Sequence, residues 1–331
     1  MRDMILRWFI ILCLPSLPVL AQYRSLPTRD RTNGDRTTAA IRTVIQQETA
    51  SVAEVLAKER TVGMATIVSS TGYLVTKASL LQGDFSIRLA NGKLFKTPQF
   101  VADSDEDIAL IKIPAADLHP VRWADSSGLK SGHWIAGFEP TPQTLRIGII
   151  SANRRTIERI GGIMGVQLGM DGEEIGGIQI DVVYPKSGAE SAGLKENDIL
   201  VSINGVSVLE RELLRKAVMA HDPGETLDVG LRRDDQTMTF QVTLGDRDAI
   251  LDDLNNDLDF SGETSKRRSG FGEVIQHDAP IGARGMGGPL WSLEGTVYGV
   301  NIARYDRVAT YAIPSERVQQ MIEHLKPRLE P

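Results

Sequence analysis

The sequence predicts a mainly β protein in which one β unit is split by a second, inserted unit. Short β-rich runs bounded by Gly, Pro, Asn or Asp fill residues 60–151. Residues 160–245 have a different pattern, in which one predicted helix lies among the predicted strands. After an acidic stretch at 246–272, short β runs like the first ones return and a helix follows them. With 331 residues, the chain has room for about two domains of ordinary size.

The N-terminus has the pattern of an export signal. Arginines flank the start of an apolar run from Trp8 to Leu20, and small residues end at Ala21. The run is shorter than the about 20 residues that a membrane-spanning helix needs, and two prolines interrupt it. We therefore expect a signal peptide over 1–21 that is cleaved after Ala21, with a retained anchor as the alternative. The protein would then be exported to a periplasm or outside the cell, with no membrane span after cleavage.

Two segments precede the predicted strands. Residues 22–40 are polar and rich in turn formers, which predicts a flexible leader that packs nowhere. Apolar residues at helical spacing over 41–59 predict an amphipathic helix docked on the body. The split unit is assigned to 41–152 and 273–327. Its predicted strands are Ala65–Val68, Tyr73–Thr76, Phe85–Leu89, Ile108–Ile113, Trp134–Gly137, Leu145–Ser151, Val274–His277, Gly295–Ile302 and Thr310–Ile313, and its closing helix is Ser315–Leu325.

The inserted unit at 160–245 alternates strands with one helix. Its predicted elements are the strands Ile178–Val183, Ile199–Ile203, Thr226–Leu231 and Thr237–Val242 and the helix Glu210–Ala220. The stretch that follows, 246–272, is rich in Asp and has only scattered apolar residues. We interpret it as a solvated acidic linker.

Composition excludes several classes of protein. The 37 basic and 43 acidic residues give a formal charge of −6, and aromatic residues are only 5% of the chain, so no nucleic-acid partner is expected. The single cysteine, Cys13, lies in the predicted signal, which leaves no disulfide and no thiolate nucleophile. The histidines have no metal-site spacing, and no phosphate-binding loop is present, so we expect neither a metal nor an organic cofactor.

Five blocks of the split unit carry a resemblance to a known family. They are Gly72–Leu81, Asp105–Lys112, Ile275–Leu290, Tyr298–Asn301 and Ala312–Ser315. In this order they resemble the trypsin-like protease domain of the HtrA/Deg family, exported serine proteases of protein quality control. The resemblance implies a trypsin-like double β-barrel interrupted by the inserted unit.

The same blocks indicate which residues occupy the catalytic positions. Ser79 stands at the histidine position, Asp107 at the aspartate position and Met286 at the position of the nucleophilic serine. A serine protease needs an imidazole beside a hydroxyl, and both are missing. Arg284 also replaces a glycine near the expected oxyanion hole, and we interpret His277 as a strand residue and not as a substitute base. The resemblance therefore implies a pseudoprotease without an intact catalytic residue.

The inserted unit carries a second resemblance. Its blocks are Ile163–Val166, Ser187–Leu194, Asn197–Leu200 and Ile203–Gly205, and in this order they resemble a PDZ domain. The resemblance implies that peptides or C-termini of exported proteins bind there. The implied carboxylate-binding loop is Ile163, Met164, Gly165 and Val166, and the implied groove wall is Leu213, Leu214, Ala217 and Val218, of which about half would be core.

Two other functions stay open beside peptide binding by an inactive protein. One is a serine endopeptidase with non-standard residues, for instance another serine with a lysine base. The other is a scaffold that forms homo-oligomers, such as the trimers common in the family, or mixed assemblies with active relatives.

Overall fold

The computed structural model describes residues 27–140, 143–234, 236–247, 264–265 and 267–329. The predicted signal peptide and the middle of the predicted acidic linker lie outside the described residues. Within these ranges, no helix has both the length and the apolar character needed to cross a membrane.

The first part of the chain forms a helix and a seven-stranded sheet. These are α1 Asp35–Glu48, β1 Val52–Ala57, β2 Arg60–Ile67, β3 Tyr73–Lys77, β4 Phe85–Leu89, β5 Leu94–Lys96, β6 Gln99–Asp103 and β7 Ile108–Lys112. The strands lie in the order β5-β4-β1-β2-β3-β7-β6. In β4, buried and half-buried residues alternate, because successive side chains of a strand point to opposite faces.

The second part forms a closed barrel that is interrupted by a separate sheet. The barrel begins with β8 Trp134–Pro140 and β9 Gln143–Ile157. The separate sheet contains β10 Val166–Gly172, β11 Gly177–Val183, β12 Ile199–Ile203, β13 Val206–Ser207, β14 Thr226–Arg233 and β15 Gln236–Thr243, with α2 Gly188–Ala192 and α3 Arg211–Met219. The barrel resumes with β16 Phe271–His277, β17 Pro289–Trp291, β18 Val297–Arg304 and β19 Thr310–Pro314, followed by α4 Ser315–Leu329.

The barrel closes in the order β16-β19-β18-β17-β8-β9. Strands β9 and β16 are therefore neighbours, although the chain builds the whole inserted unit between them. This arrangement confirms the predicted mainly β fold, in which one β unit is split by another. One core joins the first sheet, the barrel and α4 through residues such as Ile108, Phe271 and Met321, whereas the inserted unit has a core of its own.

The predicted helix over 41–59 is wrong in its second half. The helix α1 ends at Glu48, and Val52–Ala57 is a strand paired with β2 on one side and β4 on the other. Val52 and Val55 are β-branched, which suits a strand, and their spacing of three fits either structure over so short a run. Pairing with β2 and β4 therefore decided that this segment is a strand and not a helix.

The end of the predicted leader is ordered and docked. The helix α1 begins at Asp35, six residues before the predicted start. Just before it, the Asn33 side chain donates from Nδ2 to the Ile147 carbonyl at 2.9 Å and accepts from the Ile147 N–H at 2.8 Å. The structure thus differs from the expectation that this segment packs nowhere, because one amide side chain satisfies both backbone groups of a barrel residue.

The two connections to the inserted unit run side by side beyond β9 and β16. The N–H of Gly270 donates to the Glu158 carbonyl at 3.2 Å, and the N–H of Ile160 donates to Ser269 Oγ at 3.1 Å. We call residues 158–160 and 268–270 the stem. The stem prolongs the β9–β16 ladder out of the barrel as far as the inserted unit.

The ends of the predicted acidic linker are buried. Arg268 is only 1% exposed, and its Nη2 lies 2.8 Å from Asp246 Oδ1, which is also buried. A buried guanidinium requires such a partner because an unpaired charge away from water is costly. The prediction of a solvated linker therefore does not hold at Asp246 and Arg268, and these two residues tie the inserted unit to the barrel.

Candidate functional site

Asp107 lies in the turn between β6 and β7 and is only 3% exposed. Its Oδ1 accepts a hydrogen bond from the Ser79 N–H at 2.7 Å, and its Oδ2 accepts one from Ser79 Oγ at 3.0 Å. The fold thus brings together the residues at the histidine and aspartate positions. A serine hydroxyl stands where an imidazole would meet the carboxylate, and a hydroxyl does not take up and return a proton near neutral pH.

Lys77 contacts the same carboxylate. Its Nζ lies 2.5 Å from Asp107 Oδ2, and it is as buried as its partner. Burial lowers the pKa of Lys77, and the charge of Asp107 opposes this shift. A buried carboxylate needs a positive partner, so Lys77 balances the charge of Asp107. This role of Lys77 was not predicted from the sequence, although the lysine stands two residues before the implied histidine position, where the HtrA/Deg segment has asparagine.

Met286 points into the barrel core. It is 1% exposed and packs in a cluster with Ile135 and Leu290. Its carbonyl accepts a hydrogen bond from the Met64 N–H at 2.8 Å, and its own N–H donates to the Ala283 carbonyl at 3.2 Å. An oxyanion hole needs N–H groups aimed at the substrate, and this N–H is already engaged within the turn.

The turn that carries Met286 nevertheless keeps a tight backbone shape. Gly287 has a φ of 85°, and a Cβ at this position would lie 2.0 Å from the Met64 carbonyl oxygen. Thr66 Oγ1 donates to the Gly287 carbonyl at 2.9 Å, which joins the turn to β2. The Arg284 side chain is exposed. The turn thus has a tight backbone shape, and it carries a methionine at the position where the resemblance implies the nucleophilic serine.

His277 lies in β16 with no exposed surface. Its Nε2 is 2.9 Å from Asn301 Oδ1, and burial lowers the pKa of His277 to about 4. A base must reach the proton that it removes, and a fully buried imidazole does not reach a substrate. The structure thus agrees with the interpretation of His277 as a strand residue.

The implied carboxylate-binding loop leads into β10. Ile163 exchanges two backbone hydrogen bonds with Gly245, at 2.9 and 2.8 Å. Gly165 has a φ of 84°, a conformation that favours glycine. The Met164 side chain belongs to the core of the inserted unit, and Val166 is the first residue of β10. In the described part of the chain, the N–H groups of Met164 and Gly165 donate to no acceptor.

The implied groove wall divides between core and surface. Leu214 and Val218 are buried in the core of the inserted unit, and Ala217 is half-buried against it. Leu213 is 49% exposed. Arg211 contacts β10, and at 100° per residue Leu213 lies about 200° around the helix from Arg211. Leu213 therefore faces away from β10, whereas Arg211, which the sequence analysis missed, faces it.

No metal site is evident in the described ranges, since no three His, Cys, Asp or Glu side chains come close enough together to hold an ion. A cleft of about 660 Å³ lies where α1, β1 and β4 meet the barrel, with Arg42, Met64 and Phe138 among its lining residues. The cleft contains none of the catalytic positions.

Comparisons with known proteins agree with both resemblances. The profile of the PDZ domain family matches residues 162–244. The chain is 27% identical over 267 residues to a "Probable periplasmic serine endoprotease DegP-like" of Marinomonas sp. (strain MWYL1), covering 55% of this chain and 56% of the relative. A protein of the same name from Halomonas elongata is 23% identical over 310 residues, covering 68% of this chain and 65% of the relative. The chain thus spans between half and two thirds of the length of these relatives.

Solved structures give a weaker likeness. The serine endoprotease from Yersinia pestis covers 62% of this chain and 97% of its own, with 20% sequence identity and a TM-score of 0.30.

Proposed function

We propose that this chain, an HtrA/DegP-like protein with an inserted PDZ domain, is a catalytically inactive relative of those endoproteases that binds peptides or C-termini of exported proteins. The observation that carries the proposal is the position of Met286, whose side chain fills the barrel core where the nucleophile would stand. A thioether in a packed core neither attacks a carbonyl nor meets a base.

The surroundings of Met286 support inactivity. Asp107 is engaged by Lys77 and Ser79, so it has no imidazole to orient. The N–H of Met286 donates within its own turn, which removes one donor that would stabilise a developing oxyanion. These contacts support a site without a nucleophile, without a base and with one oxyanion donor engaged elsewhere.

The inserted unit supports peptide binding. The strand β10 is the outer strand of its sheet, so it can accept an added strand. At its start, the N–H groups of Met164 and Gly165 have no acceptor among the described residues, as a loop that takes a carboxylate requires. Export to a periplasm or outside the cell, cleavage after Ala21 and assembly into trimers or mixed oligomers are further parts of this proposal. The names of the relatives, which contain the word periplasmic, support the location alone.

Digestion of unfolded casein tests the proposal directly. We expect no cleavage by the purified chain, beside an active DegP-like relative as a positive control. A Ser79→His, Met286→Ser double variant shows whether the site can support turnover with these two residues. Cleavage by the natural chain, with a contaminating protease excluded, would overturn the proposal.

One contact favours the alternative of a rewired endopeptidase. Ser79 Oγ and Lys77 Nζ meet at the same oxygen of Asp107, which places a hydroxyl near a lysine. The lysine is ion-paired, however, and a base must be neutral to take a proton. A fluorophosphonate probe separates the two cases, because covalent labelling of Ser79, lost in Ser79→Ala, would favour the endopeptidase.

A further inference from the structure

Arg211 bridges the first turn of α3 and the outer strand of the inserted sheet. Its Nη2 donates to the Gly169 carbonyl, its Nε donates to Asp171 Oδ1 at 3.1 Å, and its backbone N–H donates to Asp171 Oδ2 at 3.1 Å. The side chain is half-exposed, so the fold does not depend on its burial. The contact joins β10 and α3 at one defined point along the strand.

That point lies where an added strand would run. In the β10–β11 ladder, register passes from Leu168 directly to Asp171, so Gly169 and Met170 have no partner across β11. The Gly169 carbonyl faces α3, since it accepts from Arg211. A strand added to β10 would lie about 4.8 Å from it, on this same side. The Arg211 side chain therefore crosses the path of any long ligand.

The position of the Arg211 contact limits how many residues of a ligand can pair with β10. Gly169 lies four residue steps after Gly165 in the carboxylate loop, which is about 13 Å of strand at 3.3 Å per residue. A tail anchored by its carboxylate at Gly165 would reach Arg211 after about four residues. Beyond that point, the carbonyl that a ligand N–H would use is already taken.

We propose that Arg211 closes the groove at Gly169, so that the inserted unit binds only the last few residues of a free C-terminal tail. This inference rests on the proposed peptide-binding function. It excludes internal extended segments as ligands, because such segments must continue past Arg211 in the groove. Asp171 holds the guanidinium in place, and the closure therefore needs both residues.

A peptide-length series on the full chain tests the closure. The probe is the tightest binder from a random octapeptide library with free C-termini, trimmed from its N-terminus to six and four residues and measured by fluorescence anisotropy. We expect the natural chain to bind all three lengths with Kd values within about twofold of one another. In Arg211→Ala and Asp171→Ala, the octapeptide should bind about fivefold more tightly than the tetrapeptide, the value of about one net hydrogen bond.

Arg215→Ala is the matched control. Arg215 lies one turn further along α3, is exposed, and pairs with Glu212 and not with β10. The Kd values of Arg215→Ala should depend on peptide length in the same way as those of the natural chain. If affinity rises with peptide length by the same factor in the natural chain and in Arg211→Ala, the closure at Gly169 is wrong, whereas the proposed peptide binding stands. Failure of every library peptide to bind both proteins would overturn the proposed function, and the closure with it.

Discussion

Lys77 and Asp107 form a buried ion pair at the place where the HtrA/Deg pattern puts an imidazole beside a carboxylate. Asp107 is buried, and Ser79 stands where the resemblance implies a histidine partner. A lysine on the preceding strand supplies the missing charge at 2.5 Å. The pair explains how the Asp107 carboxylate can stay charged while buried, since removing its charge partner would be costly.

Replacing Lys77 alone should destabilise the protein. We expect Lys77→Met to lower the free energy of unfolding by about 3 to 5 kcal/mol, because it leaves the Asp107 carboxylate buried and unpaired. Lys77→Met combined with Asp107→Asn should recover part of this loss, as no charge is then left alone. Lys96, exposed on β5, is the control, and Lys96→Met should stay within about 0.5 kcal/mol of the natural chain in urea unfolding. If Lys77→Met unfolds at the same urea concentration as the natural chain, Lys77 is not the charge partner that the buried Asp107 requires.

His277 should make stability depend on pH. Its pKa is about 4 in the folded chain against an ordinary value of 6.5, because burial disfavours the imidazolium. Between these values the unfolded chain binds more protons, so the free energy of unfolding rises with pH through this window. The stability linked to the neutral form of His277 is thus fully present above pH 6.5. Acidification to pH 4 lowers the free energy of unfolding by about 3 kcal/mol.

Two variants isolate this effect in urea unfolding at several pH values. His277→Gln should flatten the dependence between pH 4 and 6.5, because glutamine does not titrate there. His324→Gln, at an exposed position of α4, should keep the natural slope. Identical slopes for the natural chain and His277→Gln would show that the imidazole does not titrate in this way.

At the scale of elements, Asn33 fixes α1 to the barrel. Strand β9 pairs with β8 at Ile147, and its pairing with β16 begins only at Ile150. The backbone of Ile147 is therefore open on one side, and the Asn33 amide fills it with two hydrogen bonds. Backbone pairing also explains why Val52–Ala57 is a strand, because β2 and β4 pair with it on both sides.

Asn33→Ala should open this contact selectively. We expect hydrogen exchange of the Ile147 amide to rise about fivefold to tenfold, the value of about one net hydrogen bond. The Ile149 N–H donates to Asp278 Oδ1 at 2.7 Å and serves as an internal control whose exchange should not change. Unchanged exchange at Ile147 would mean that Asn33 does not protect this amide.

At the scale of the whole molecule, Arg267 connects the stem to the turn that precedes Asp107. Its guanidinium donates to the carbonyls of Ser104, Asp105 and Gly270, the last two at 2.6 and 2.8 Å. The stem is thus joined to the turn before Asp107 through carbonyl contacts made by one side chain. The two regions should loosen together when it is removed.

Arg267→Ala tests this connection by hydrogen exchange. The amides of Ala78, which donates to the Asp107 carbonyl, and of Gly270, which donates to Glu158, should both exchange faster. Amides in β11, within the core of the inserted unit, should be unaffected. Arg284→Ala, at an exposed position, is the control. A change at Gly270 without one at Ala78 would show that the two regions are not linked through Arg267.

The sequence by itself determined the order of most strands along the chain and the interruption of one β unit by another, and it showed which residues stand at the positions that the HtrA/Deg resemblance marks. These features are local, because short apolar runs, turn residues and motif blocks are read within a few neighbouring residues. Ser79 and Met286 could be matched to the family's motif positions for the same reason. The hydrophobic pattern did not predict the strand β10, since its sequence has no continuous apolar run; only the PDZ resemblance implied a strand after Val166.

Only the tertiary structure decided which groups meet. Lys77 is an ordinary lysine until β7 brings Asp107 to it, and a methionine at position 286 reads the same whether it fills the core or faces solvent. Arg211 at the start of a helix indicates only an exposed cation, and its role depends on β10 packing beside α3. Each of these contacts joins residues about 30 to 150 positions apart, and chain closure over such distances is set by the whole fold and not by local pattern.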